Sequence, residues 1–222
     1  MSDRLLIFDF DGVIADSETV SNAVLADELT ALGMPTTIDD ALRLYMGKRW
    51  VDCVAAIEAH WDRSLPTDFH ARCAEGVRVR HDAEILPVPG VAGYLDTLGQ
   101  RQRCVASSSS PDWLRTNLSR FGLQHHFGDK LFSAAVHVTR GKPHPDLFLY
   151  AATEMAAMPS RALVIEDSAT GVKAGVAAGM TVIGMCAGSH IRPGHADNLR
   201  HAGANHIVDS YDELAQIVAS LG

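Results

Sequence analysis

Short apolar runs recur along the chain, and each ends in polar or acidic residues. Leu5-Leu6-Ile7-Phe8 runs into Asp9-Phe10-Asp11-Gly12-Val13, Val105-Ala106 into Ser107-Ser108-Ser109-Ser110-Pro111, and Ala162-Leu163-Val164-Ile165 into Glu166-Asp167-Ser168. Unbroken apolar runs of this length fit strands covered on both faces, as in a parallel sheet. Further strands are predicted at Cys104 to Ser107, Leu131 to Ser133, Leu163 to Glu166, Thr181 to Met185 and His206 to Val208. Helical stripes alternate with them at Val91 to Leu98, Pro111 to Phe121, Pro145 to Met155, Gly171 to Ala178 and Tyr211 to Leu221. Strand and helix in alternation predict an α/β fold built on a doubly wound parallel sheet.

One stretch breaks the alternation. From Ser17 or Glu18 to Leu32, apolar residues fall at Val20, Val24, Leu25, Leu29 and Leu32 before Gly33 stops the helix. Further helices are predicted at Asp39 to Met46, Trp50 to Trp61 and Thr67 to Arg80, after which Pro87-Val88-Pro89-Gly90 returns the chain to the sheet. The expected domains are an α/β core of residues 1–14 and 88–222 and a helical insertion of residues 15–87. His190 to His201 is the least regular part and reads as a surface loop or short helix, and the His125-His126 pair falls in a loop.

Composition narrows the function classes. The 222 residues are 47% hydrophobic and 21% charged, enough for a globular core with one modest insertion. A formal net charge of −8 disfavours nucleic acid as a partner. The amino terminus enters its first strand at once, so neither a signal peptide nor a membrane span is expected, and a cytoplasmic monomer is the default. Cys53, Cys73, Cys104 and Cys186 lack metal-type spacing and read as buried thiols, while the eleven dispersed histidines read mostly as surface or packing residues.

The strand ends carry the chemistry. In an open parallel sheet ligands lie beyond the carboxyl ends of the strands, where these acids and serines fall. Two carboxylates as close as Asp9 and Asp11 repel one another unless a cation relieves them, and a carboxylate-lined site is what Mg²⁺ prefers. Ser110 and Pro111 open a helix whose exposed N–H groups suit a phosphate, and Lys142, in Gly141-Lys142-Pro143-His144-Pro145, supplies a compact cation. Each feature alone has a structural explanation: a cap, a solvated charge, or acids matching a helix dipole. Four of them at strand ends point to metal-assisted phosphoryl chemistry.

With these four motifs the chain resembles the haloacid dehalogenase superfamily, in the helical-cap group of sugar-phosphate phosphatases and β-phosphoglucomutase-like enzymes. The resemblance implies a Rossmann-like core, a small helical-bundle cap over residues 15–87, and catalysis through an aspartyl-phosphate. It implies Asp9 as nucleophile, Asp11 as general acid and base, and Ser107 with the backbone N–H of Ser108 on the phosphoryl oxygens. Lys142 would bridge phosphate and nucleophile. Mg²⁺ would be held by Asp9, the backbone carbonyl of Asp11 and Asp167, with Glu166 a further acid.

The expected activity is a Mg²⁺-dependent phosphatase acting on a small phosphorylated metabolite, a sugar or sugar-acid phosphate. In the cap, Gly47-Lys48-Arg49-Trp50 is expected to reach the substrate, with Lys48 or Arg49 on a second anionic group and Trp50 on a sugar face. A phosphomutase is the runner-up, weakened because Ser21 stands where mutase relatives carry a His. Dehalogenase and phosphonate-cleaving relatives lack an acid at the position of Asp11. A catalytically silent binding module would have no need of the acids at 9, 11 and 167.

Overall fold

Six strands hydrogen-bond into one parallel sheet in the order β3-β2-β1-β4-β5-β6. They are β1 (Leu5–Phe8), β2 (Arg103–Ser107), β3 (Leu131–Ser133), β4 (Ala162–Glu166), β5 (Thr181–Met185) and β6 (His206–Val208) in the computed structural model, which describes residues 4–221. All four residues of β1 and all five of β4 are buried, because helices cover both faces of the sheet. Side chains alternate between faces, so Leu6 and Phe8 enter one apolar cluster while Leu5 and Ile7 enter the other.

Four helices, α1 (Glu18–Ala31), α2 (Ile38–Tyr45), α3 (Trp50–Trp61) and α4 (Phe69–Glu84), follow β1 in the chain before it returns to the sheet. They surround an apolar cluster of their own that includes Leu29, Met34, Ala41, Ile57 and Phe69. The chain leaves and re-enters the core side by side: Asp16 N donates to Leu86 O and Val88 N to Ile14 O, both at 2.8 Å. Trp50 is partly buried against this bundle, its ring centroid 5.8 Å from that of Phe69 and 4.7 Å from that of His70. An aromatic at the first turn of α3 has the apolar partner it needs inside the bundle.

The remaining helices are α5 (Val91–Thr97), α6 (Pro111–Arg120), α7 (Gln124–Phe127), α8 (Ala134–His137), α9 (Asp146–Glu154), α10 (Ala169–Ala177), α11 (His195–Ala202) and α12 (Tyr211–Ser220). Their starts follow the polar punctuation of the sequence. Ser110, Ser168 and Ser210 each accept a backbone N–H from three residues on, at 3.3, 3.0 and 3.2 Å, which satisfies a donor the helix leaves orphaned. His125 and His126 sit in the single turn α7 rather than in a loop. Cys53, Cys73 and Cys104 are buried as expected, but Cys186 is partly exposed. Among the described residues no helix is long and apolar enough to cross a membrane.

Ile57 is fully buried in the helical cluster. Ile57→Ala should lower unfolding free energy by about 2–5 kcal/mol, the usual cost of a truncated core aliphatic, measured by urea denaturation.

Candidate active site

Because β1 lies between β2 and β4, the residues that follow all three strands meet at one edge. Asp9 continues β1, its N–H donating to Ile165 O at 2.9 Å, and its side chain is buried. Lys142 enters from the loop before α9 and is buried with it. Its Nζ lies 3.0 Å from Asp9 Oδ1 and donates to Glu166 Oε1 at 2.6 Å. The other oxygen of Glu166 accepts from the backbone N–H and the hydroxyl of Ser168, at 2.8 and 2.9 Å. Glu166 is therefore engaged on both sides and acts as the anchor of Lys142.

Asp167 faces two histidines that the sequence reading had passed over. His190 Nε2 lies 2.9 Å from Asp167 Oδ2, and His195 Nε2 donates to the Asp167 carbonyl at 2.6 Å. The stretch forms the short helix α11 with most of its residues exposed, as expected, but His190 is buried and His195 half-buried against Asp167. Gly12 makes the arrangement possible. It holds φ at +77°, and a Cβ there would lie 1.9 Å from Asp167 Oδ2.

Asp11 sits at the mouth with both oxygens held. Ser17 Oγ and Trp113 Nε1 donate to Oδ1 at 2.6 and 2.9 Å, and Ser109 Oγ donates to Oδ2 at 2.5 Å. Ser17 precedes α1 but does not cap it with its side chain, because its hydroxyl is turned to Asp11. The Trp113 ring also meets His81 of α4 edge-on, at 5.4 Å between centroids. The serine run thus divides its work. Ser107 is buried at the end of β2, Ser108 Oγ donates to Gly47 O of the helical bundle at 3.1 Å, Ser109 holds Asp11 and Ser110 caps α6.

The turn between α2 and α3 lies over this edge, but its two cations differ. Arg49 is spent on Asp52, through Nε at 2.6 Å and Nη2 at 3.0 Å, and on the Thr139 carbonyl through Nη1 at 2.8 Å. It clamps the bundle to the core and also lines, with Lys48 and Lys142, a cavity of about 320 Å³. Lys48 lines two cavities, one of about 320 Å³ shared with Lys142 and one of about 700 Å³ shared with His190.

Charge makes the centre unusual. Burial raises the Asp9 and Asp167 carboxyls well above the ordinary carboxylate value; Lys142 opposes the rise at both, and Glu166 and Asp11 add to it. Burial works against Lys142, but Asp9 and Glu166 outweigh it and hold the ammonium above its ordinary value. Glu18, at the start of α1, is pushed up to about 8 by burial and by Asp167 and Asp11, and Asn22 Nδ2 donates to it at 2.7 Å. Oxygens of Asp9, Glu166 and Asp167 lie within 4.8 Å of one another, and Asp9 Oδ1 and Asp167 Oδ2 are buried without a directed hydrogen bond. Hard oxygen donors with unspent lone pairs and excess negative charge fit a divalent cation such as Mg²⁺.

The model of the haloacid dehalogenase-like hydrolase family matches residues 6–185. The chain belongs to that family. Within it, the chain is 31% identical over 178 residues to the fructose-1-phosphate phosphatase YqaB of Escherichia coli K12, covering 80% of this chain and 94% of that one. It is 25% identical over 190 residues to the 6-phosphogluconate phosphatase of the same organism, covering 85% of each. The solved structure of a haloacid dehalogenase-like protein from Agrobacterium tumefaciens C58 superposes with a TM-score of 0.84 at 32% identity, over 99% of both chains. The chain is a family hydrolase of the phosphatase type.

Two outcomes follow from the buried charges. Lys142→Met leaves the acids uncompensated and should cost about 3–5 kcal/mol in metal-free urea unfolding. Between pH 4.5 and about 8 the native protein keeps a proton on Glu18 that the unfolded chain has released, so this group makes stability fall as pH rises through that window. In chelator, Glu18→Gln should therefore raise Tm relative to the wild type more at pH 8 than at pH 5.

Proposed function

We propose that the chain is a Mg²⁺-dependent phosphatase that hydrolyses a small sugar or sugar-acid phosphate through an aspartyl-phosphate on Asp9. The observation that carries this reading is the buried Asp9–Lys142–Glu166 line beside Asp167, with Asp11 held at the mouth by three donors. The family's phosphatases for fructose 1-phosphate and 6-phosphogluconate support the substrate class.

A carboxylate of Asp9 attacks phosphorus, and the bond from phosphorus to the sugar oxygen breaks. Asp11 gives its proton to that leaving oxygen. Water then attacks the aspartyl-phosphate, giving up a proton to Asp11, and Asp9 is regenerated with release of inorganic phosphate. Lys142 opposes the repulsion between nucleophile and phosphate, while Ser107 and the backbone N–H of Ser108 bind phosphoryl oxygens. Asp9, Asp167 and the Asp11 carbonyl would hold Mg²⁺, and Glu166 would fix Lys142 rather than the metal. When bound, the ion supplies charge neutralisation at the phosphoryl oxygens.

The helices of residues 15–87 act as a cap that excludes water, closing through Ser108–Gly47 and Arg49–Thr139. Ser21 on α1 offers no imidazole to time proton transfer, so water rather than a second sugar hydroxyl receives the phosphoryl group.

Phosphate release from fructose 1-phosphate and 6-phosphogluconate, with Mg²⁺ and then with chelator, tests the reading. Asp9→Asn should abolish release while its circular dichroism matches the wild type; near-normal release would exclude the covalent path. With β-glucose 1-phosphate and a trace of its bisphosphate, free phosphate should outrun glucose 6-phosphate. Trp113→Phe removes one of three hydrogen bonds to Asp11 and should lower kcat about tenfold with KM unchanged, the scale of one hydrogen bond to a charged group.

A further inference from the structure

The chain carries a net negative charge, yet one cleft gathers cations. The cavity of about 700 Å³ lies between α2 of the bundle and the start of α10 with the segment from His190 to α11. Arg43, Lys48, Lys173 and Arg192 line it, against Asp39 as the one acid in its wall. Arg43 is paired with Asp40 at 2.8 Å and Arg192 with Asp39 at 3.1 Å. Among the described residues, neither Lys48 nor Lys173 has an acidic partner. The first turn of the nine-residue α10 opens on the same space and adds its positive end. Buried His190 also lines the cavity, and its Nδ1 has no hydrogen-bond partner.

The cleft adjoins the reaction centre. His190, in its wall, lies 2.9 Å from Asp167, and Lys48 borders both this cavity and the one that contains Lys142. Arg49, the other cation of the cap turn, is already committed to Asp52 and Thr139. Lys48 is thus the residue that joins the cleft bearing Lys173 to the cavity that holds Lys142.

We propose that this cleft, with Lys173 and Lys48 as its free cations, binds a second anionic group on the substrate, so that the preferred substrates are sugar phosphates carrying a carboxylate or second phosphate at the far end. The assignment rests on the phosphatase reading above and deepens it. Unpaired ammonium groups in a concave wall concentrate an anion without first having to break an ion pair. Lys173 comes from the core and Lys48 from the cap, so an anion between them also favours the closed arrangement. A neutral distal end gains neither effect.

The test uses 6-phosphogluconate and glucose 6-phosphate, which differ at the far carbon by a carboxylate. Wild-type kcat/KM should favour 6-phosphogluconate, and the preference should shrink as ionic strength rises. Lys173→Ala should reduce that ratio about twofold to fivefold, the scale of an exposed charge pair, and Lys48→Ala/Lys173→Ala should reduce it further. Lys130→Ala, a surface change outside the cleft, serves as control and should retain the ratio. A wild-type ratio near one, or a ratio that Lys173→Ala leaves intact, overturns the proposal.

Calorimetric titration of Asp9→Asn with both compounds reads the cleft without turnover. Tighter binding of 6-phosphogluconate that Lys173→Ala abolishes supports the subsite even if no phosphate release is found, in which case only the catalytic reading fails. Equal binding of the two compounds overturns the subsite. Binding of 6-phosphogluconate that does not compete with glucose 6-phosphate also overturns it, since the anion would then belong to a separate effector.

Discussion

Everything at the carboxyl edge of the sheet depends on one buried ammonium. Lys142 lies between Asp9 and Glu166 with no exposure to solvent, where an isolated charge would cost several kcal/mol. Its two carboxylates make its burial tolerable, and it makes theirs tolerable. With Asp167 counted, three acids face one cation, a surplus of carboxyl groups that an incoming cation would relieve. The sheet order is what creates this crowding, since β1 is flanked by β2 and β4 and the three strands release their polar residues at the same level.

The same edge is where bundle and core touch. Thr19 meets Ser189 at 2.8 Å, Asp39 meets Arg192, Gly47 meets Ser108 and Arg49 meets Thr139. All of these are polar and most are exposed, so each contributes little to stability alone. The bundle has an apolar cluster of its own, while Val20 of α1 and Val77 of α4 also pack against the core cluster.

Much of this was legible in the chain because its signals are local. Apolar runs ending in acids marked β1 and β4, Ser-Pro marked the start of α6, and the helical stripe of Val24, Leu25 and Leu29 marked α1. Signals that depend on residues distant in sequence were not legible. Trp113 finds Asp11 across 102 positions, and Arg49 finds Thr139 across 90, so nothing near either residue announces its partner. His190 and His195 read as surface residues because their stretch has no apolar period, yet the return of the chain past β5 presses them on Asp167. The single-turn helices α7 and α8 are shorter than the period needed to see them.

The Arg49 clamp has a property that an ordinary ion pair across the cleft would lack. Its acceptor on the core is the main-chain carbonyl of Thr139, which every residue type presents alike. Substitution at position 139 cannot delete that acceptor, and acid cannot titrate it. The side chains of this loop are free to drift over generations while the grip of the bundle on the core persists, with the whole requirement for heritable constancy falling on the arginine and on Asp52 that orients it.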